Sequence, residues 1–173
     1  MDKKIVVCGC TDFGYEIVDF LLTNDVNISH LVSLSPEQAI QHKVSGYKSF
    51  ELLSTKYGVP IYYPKLYSMK ETDFDFFKEE KFDLLLVCGW QRLIPNKILE
   101  TIKICGIGSH GSSELLPKGR GRSPVNWSII EGKKQFILQL FMLTPEIDDG
   151  DIVYHETFDI NEWDTCKTIY YKT

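Results

Sequence analysis

Phe82-Asp83-Leu84-Leu85-Leu86-Val87-Cys88-Gly89 is a nearly uniform apolar run closed by glycine. Such a run reads as a strand covered on both faces, which is how strands of a parallel sheet read. Upstream, residues 4–9 form a short β-branched run ending in glycine, and residues 13–22 place Phe13, Ile17, Phe20 and Leu21 at helical spacing. The order recurs: an apolar stretch at 28–34, a helix-like segment at 49–57 closed by Gly58, and a strand at 61–63 between Pro60 and Pro64. An acidic segment at 71–80 leads into the central run. Downstream, residues 95–102 carry Pro95 at a first helical position, and 104–109 give another strand. Strands alternating with helices imply right-handed crossovers and a doubly wound α/β domain. After residue 133 the pattern changes to two strand-like runs, 136–143 and 152–158, which extend the sheet with an antiparallel edge. No repeat, low-complexity tract or linker interrupts the chain, which therefore reads as one domain.

Composition narrows the ligand. The 173 residues are 43% hydrophobic and 25% charged, enough for a single core and unlike a disordered, collagen-like or disulfide-stapled chain. A formal net charge of −5 argues against a phosphate backbone as the main partner and puts small molecules first. No signal-peptide h-region follows Met1, and no apolar run approaches the roughly 18 residues of a membrane span, so the chain reads as cytoplasmic. Cys8, Cys10, Cys88, Cys105 and Cys166 read as reduced thiols. The Cys8-Gly9-Cys10 spacing is tighter than the usual zinc spacing of about two to four intervening residues, and no metal site is expected.

Ligands of open α/β sheets bind beyond the carboxyl ends of the strands, which here points to loops 9–14, 89–94, 109–124 and 144–151. The first loop has glycines without the G-x-G-x-x-G spacing and reads as a tight turn into a helix; a nicotinamide-dependent oxidoreductase is the alternative if it binds a dinucleotide. His110 closes an apolar strand and opens a glycine-rich loop, where an imidazole can reach a ligand and titrate near neutrality. Lys118, Arg120 and Arg122 in that loop are a candidate site for a phosphate or carboxylate. Asp148, Asp149 and Asp151 surround Gly150 with too few oxygens for a calcium loop, and a carboxylate from this group is better placed as a partner for His110.

Three stretches in this order resemble the folate-dependent formyltransferases, the family of methionyl-tRNA, glycinamide ribonucleotide and nucleotide-sugar N-formyltransferases. They are Gly89-Trp90-Gln91-Arg92-Leu93-Ile94-Pro95; His110 with Leu115-Leu116-Pro117-Lys118-Gly119-Arg120-Gly121-Arg122-Ser123-Pro124; and Ile147-Asp148-Asp149-Gly150-Asp151-Ile152. The resemblance covers nearly the whole chain. It implies a Rossmann-like, mostly parallel sheet flanked by helices, and transfer of a formyl group from 10-formyltetrahydrofolate to a primary amine, a reaction of one-carbon metabolism. It also implies that His110 and Asp148 are catalytic. Gly89, Trp90, Gln91, Arg92, Leu93 and Ile94, with Ile147, Asp149 and Asp151, would hold the folate, and Lys118, Arg120 and Arg122 the acceptor. An amine attacking a formyl carbon needs a donor for the oxyanion and a route for the amine proton, which an imidazole and a carboxylate supply. Ser112 and Ser113 lie in no G-x-S-x-G elbow.

Two positions depart from the family pattern. Gly108 stands where the family has asparagine, so a backbone N–H, Ser109 or Asn126 must replace that donor or the enzyme is slow; loss of one oxyanion donor costs about 10²–10³ in rate. The Leu-Leu-Pro segment also lies two residues further from the histidine than in the common spacing. Among acceptors, the resemblance is nearest to the branch that formylates nucleotide-linked amino sugars; a tRNA acceptor ranks second, and a weakly active folate-binding domain third. Residues 164–173 read as the start of a helix, so the expectation is a catalytic, folate-binding domain over 1–173, truncated at its C-terminal end, with a homodimer in a full-length form.

Overall fold

The computed structural model describes residues 3–70 and 72–173. Its contacts divide the chain into two compact units, Met1–Ile107 and Gly108–Thr173.

In the first unit the apolar runs become β1 (Ile5–Cys8), β2 (Ile28–Val32), β3 (Ile61–Tyr62) and β4 (Leu84–Val87), and the intervening segments become α1 (Asp12–Thr23), α2 (Pro36–Gln41), α3 (Glu51–Tyr57), α4 (Phe74–Glu80) and α5 (Asn96–Leu99). β1 pairs in parallel with β2 and β4, and β2 with β3, so the order in this unit is β3-β2-β1-β4. The central strand carries the most buried side chains: Val6, Val7 and Cys8 are fully covered. Val7 packs in one cluster with Val18 of α1, Leu31 of β2, and Phe50 and Leu53 at α3.

Local chemistry explains the boundaries. Gly58, at φ 68, closes α3 in the left-handed conformation. The short helix α2 escapes the periodicity of the sequence, yet Ser35-Pro36-Glu37-Gln38 carries a capping box. The Gln38 N–H donates to Ser35 Oγ at 3.3 Å and the Ser35 N–H to Gln38 Oε1 at 2.9 Å. α4 covers residues 74–80 of the acidic segment read from residue 71; Glu71 itself lies outside the described residues. Pro95 is the residue before α5 rather than its first helical position, because its ψ of 139° is extended and its carbonyl accepts from Ile98 N–H; α5 is correspondingly shorter than 95–102.

The loop after β1 is a tight turn. The N–H groups of Gly9, Cys10 and Asp12 donate to the carbonyls of Val32, Gly89 and Gly46. These donors would have to face a pyrophosphate in a dinucleotide site, and they are spent inside the protein, which removes the main support for the oxidoreductase alternative.

β5 (Cys105–Ser112) begins in the first unit and ends in the second, which continues with α6 (Pro124–Ile130), β6 (Gln135–Met142), β7 (Ile152–Asp159) and α7 (Cys166–Lys172). The order there is β5-β6-β7. β6 and β7 are antiparallel, from Gln135 opposite Asp159 to Phe141 opposite Ile152. The seven strands thus form the mostly parallel, Rossmann-like architecture with an antiparallel edge. Val125, Phe136, Ile160 and Ile169 make the buried cluster of this unit. α7 occupies most of the segment expected to be helical at 164–173, and starts at a capping box between Thr165 and Thr168.

Candidate active site

In the second unit, β5 carries His110. The strand does not end at this residue, as its loss of apolar side chains suggests, but runs on to Ser112. The imidazole is therefore anchored at the sixth of eight strand positions. Its side chain is 11% exposed.

Both ring nitrogens face oxygen. Nε2 lies 3.0 Å from the Gly119 carbonyl, and Nδ1 lies 3.8 Å from Oδ2 of Asp148. A carbonyl only accepts, so in this arrangement Nε2 carries the proton. The 3.8 Å separation exceeds a direct hydrogen bond.

The loop from 113 to 122 folds back on His110 for reasons that are visible locally. Ser112 Oγ, buried, accepts from the Glu114 N–H at 3.2 Å. A Cβ on Gly119, which has φ 67, would fall 1.7 Å from that same oxygen, so only glycine lets the loop return this close. Gln139 of β6 is fully buried; its Oε1 accepts from the Leu116 N–H at 2.8 Å and its Nε2 donates to the Glu114 carbonyl at 3.1 Å. Gln139→Leu should leave both backbone groups unsatisfied and cost about 1–3 kcal/mol, measurable by urea unfolding. This residue was not among the sequence candidates. Its only signal is a lone amide within the apolar run at 136–143.

Asp148 lies in the turn between β6 and β7, which is closed by the Met142 N–H donating to the Asp151 carbonyl at 3.0 Å. Asp148 has φ 48, in the left-handed region. Arg120 reaches this turn: its Nε donates to the Asp148 carbonyl at 2.9 Å, and its Nη2 pairs with the Asp149 carboxylate. The guanidinium charge is thus met within the loops. Lys118 and Arg122 are exposed, as are Ile147 and Asp151. Arg122, Lys133, Ser112, Ser113 and Trp127 line part of a cleft of about 230 Å³ that also touches Gly119.

Of the donors considered in place of the family asparagine, Ser109 is one strand position from His110 and so points to the opposite face of β5. Asn126 is exposed on α6. At Gly108 a Cβ would meet Leu143 Cδ2 at 2.8 Å, so the position is crowded as well as small.

In the first unit, residues 89–94 are held by Tyr67, which the sequence reading did not single out. Its hydroxyl accepts from the Gln91 N–H at 3.2 Å, its ring lies 4.6 Å from the Arg92 guanidinium, and it meets Trp90 edge to face at 4.8 Å. Gln91 Nε2 donates to the Ser45 carbonyl, Leu93 is 61% exposed, and Ile94 is half-buried. Trp90 is buried, and its indole N–H has no hydrogen-bond partner. Such a donor costs about 1–3 kcal/mol unless a ligand supplies an acceptor, and a heterocycle rich in carbonyl and ring-nitrogen acceptors fits that need.

The cysteines are free thiols. Burial raises Cys10 to about 11 and Cys88 to about 12, which suits inert core residues. Among the described residues, no group of three or more His, Cys, Asp or Glu could hold a metal ion, and no helix is long and apolar enough to cross a membrane.

The formyl transferase family model matches residues 3–173. The methionyl-tRNA formyltransferase of Buchnera aphidicola subsp. Acyrthosiphon pisum (strain Tuc7) is 29% identical over 96% of this chain and 52% of its own length. The bifunctional polymyxin resistance protein ArnA of Wigglesworthia glossinidia brevipalpis is 29% identical over 98% of this chain and 25% of its own. The chain therefore spans about half the length, or less, of these relatives. Among solved structures, the phosphoribosylglycinamide formyltransferase from Bacillus halodurans superposes with a TM-score of 0.75 at 18% identity, covering 98% of this chain and 87% of that one.

Proposed function

The chain belongs to the formyl transferase family, and from that premise we propose that it transfers a formyl group from 10-formyltetrahydrofolate to the primary amine of a nucleotide-linked amino sugar. The observation that carries the chemistry is His110, held at a strand position with Asp148 3.8 Å from Nδ1 and a backbone carbonyl on Nε2. When bound, the folate supplies the formyl group. In the first unit, Gly89, Trp90, Gln91, Arg92, Leu93 and Ile94 hold it, with the Trp90 N–H as a buried donor.

His110 presents the Nε2–H, now accepted by Gly119, to the formyl oxygen where negative charge develops. Asp148, 3.8 Å from Nδ1, takes the amine proton, directly or through water. No side chain needs to form a covalent bond to the substrate.

The acceptor assignment draws on the cleft beside Gly119. About 230 Å³ lined by Trp127, three serines, Arg120, Arg122 and Lys133, with Glu114 and Glu131 at its wall, suits a sugar ring against an indole, with Arg122 available for its phosphates and Lys118 in the same loop. The two methionyl-tRNA and ArnA relatives match equally well in identity, so a charged tRNA acceptor is the second reading. The net charge of −5 disfavours it. A homodimer belongs to the same proposal for any longer form of the protein.

Incubation with 10-formyltetrahydrofolate and a panel of nucleotide-linked amino sugars, alongside methionyl-tRNA, should give a sugar product heavier by one carbonyl unit in mass spectrometry. Product from methionyl-tRNA alone would overturn the sugar assignment.

A further inference from the structure

Gly119 and Arg120 are consecutive, and between them they touch both members of the pair. The Gly119 carbonyl meets His110 Nε2 at 3.0 Å, and Arg120 Nε donates to the Asp148 carbonyl at 2.9 Å while its Nη2 engages the carboxylate of Asp149. From this geometry we infer that Arg120 is a positioning residue that fixes Asp148 against His110, and not a contact for an anionic substrate. The inference rests on the reading of His110 and Asp148 as the proton-handling pair.

Three observations support it. The guanidinium is a planar fork, and here it grips two consecutive residues of one turn, which sets the turn's orientation as well as its distance. Asp148 holds a left-handed φ of 48 without being glycine, a conformation that persists where its surroundings impose it. The positive charge already has a partner in the Asp149 carboxylate, although Arg120, like Arg122, also lines the cleft beside Gly119. The Arg120 and Asp149 side chains are 38% and 47% exposed, so the pair contributes little to global stability and its effect falls on local geometry.

The test uses Arg120→Ala, Arg120→Lys and Arg120→Ala combined with Asp148→Asn in the whole chain. Arg120→Ala should keep the thermal unfolding of the wild type, lower kcat for formyl transfer by about 10²-fold, and leave the acceptor KM unchanged. Arg120→Lys, which restores charge but not the fork, should remain impaired. The double variant should lose no more than Asp148→Asn alone. Amide hydrogen exchange at 147–151 should accelerate in Arg120→Ala while exchange in β6 and β7 away from the turn does not change. A raised acceptor KM with intact kcat would make Arg120 a substrate contact and overturn the inference. Unchanged exchange at 147–151 would do the same. If the wild type transfers no formyl group, the functional reading fails, and the exchange measurement still decides whether Arg120 holds the turn.

Discussion

His110→Ala is expected to lower kcat for formyl transfer by about 10²–10⁴-fold, the range attributable to a positioned acid–base group, while the protein keeps its fold. The expectation follows from where the side chain sits. It projects from a strand, so its loss does not release the loop, which remains held by Gln139 at Glu114 and Leu116 and by Ser112 at Glu114. What disappears is the N–H aimed at Gly119 and the nitrogen facing Asp148. Asp148→Asn keeps the shape of the turn and removes the charge and the proton acceptor, so it should fall in the same range. Steady-state kinetics with circular dichroism of each variant checks both. A rate near that of the wild type in either one removes that residue from the mechanism.

Gly150→Ala should have the next largest effect, through geometry alone. A Cβ at this position would lie 1.6 Å from the Met142 carbonyl oxygen and 2.7 Å from its carbon. Backbone cannot yield that much, so the turn must move away from β6 and carry Asp148 with it. A displacement of about 1 Å in a catalytic group costs on the order of 10²-fold in rate. Because the turn lies at the exposed end of a hairpin, the cost in global stability should be modest, and kcat should fall without a matching loss of the cooperative unfolding transition. Parallel kinetics and thermal unfolding separate the two. Wild-type kcat in Gly150→Ala would show that the turn does not set the position of Asp148.

Particular residues show which parts of this architecture were legible in the sequence. The apolar run at 82–89 marked a strand because β4 buries Leu85 and half-buries Leu84, Leu86 and Val87, and Gly58 marked a helix end because the left-handed conformation closes α3 there. Helices α2 and α6 were not legible, although Ser35 and Gln38 held a cap that could have been read. The strand carrying His110 seemed to stop early because Gly108-Ser109-His110-Gly111-Ser112 has no apolar side chain, whereas strand geometry belongs to the backbone. The expected pairing of His110 with an aspartate of the 148–151 turn corresponds to the 3.8 Å approach of Asp148. The engagement of Arg120 with Asp149 spans 29 positions and was not visible, because local sequence does not encode which loops meet. Lys118, Arg120 and Arg122 look alike in sequence. Only the fold separates Arg120, whose charge is met by Asp149, from its neighbours.

In the proposed reaction the amine, and not water, receives the formyl group, with His110 and Asp148 managing the proton. The most direct measurement follows an isotopically labelled formyl carbon from 10-formyltetrahydrofolate by nuclear magnetic resonance in the presence of a nucleotide-linked amino sugar. The label is expected to appear as a formamide on the sugar, at a rate that collapses in His110→Ala. Label released as free formate, or left on the folate with every amine supplied, would contradict it.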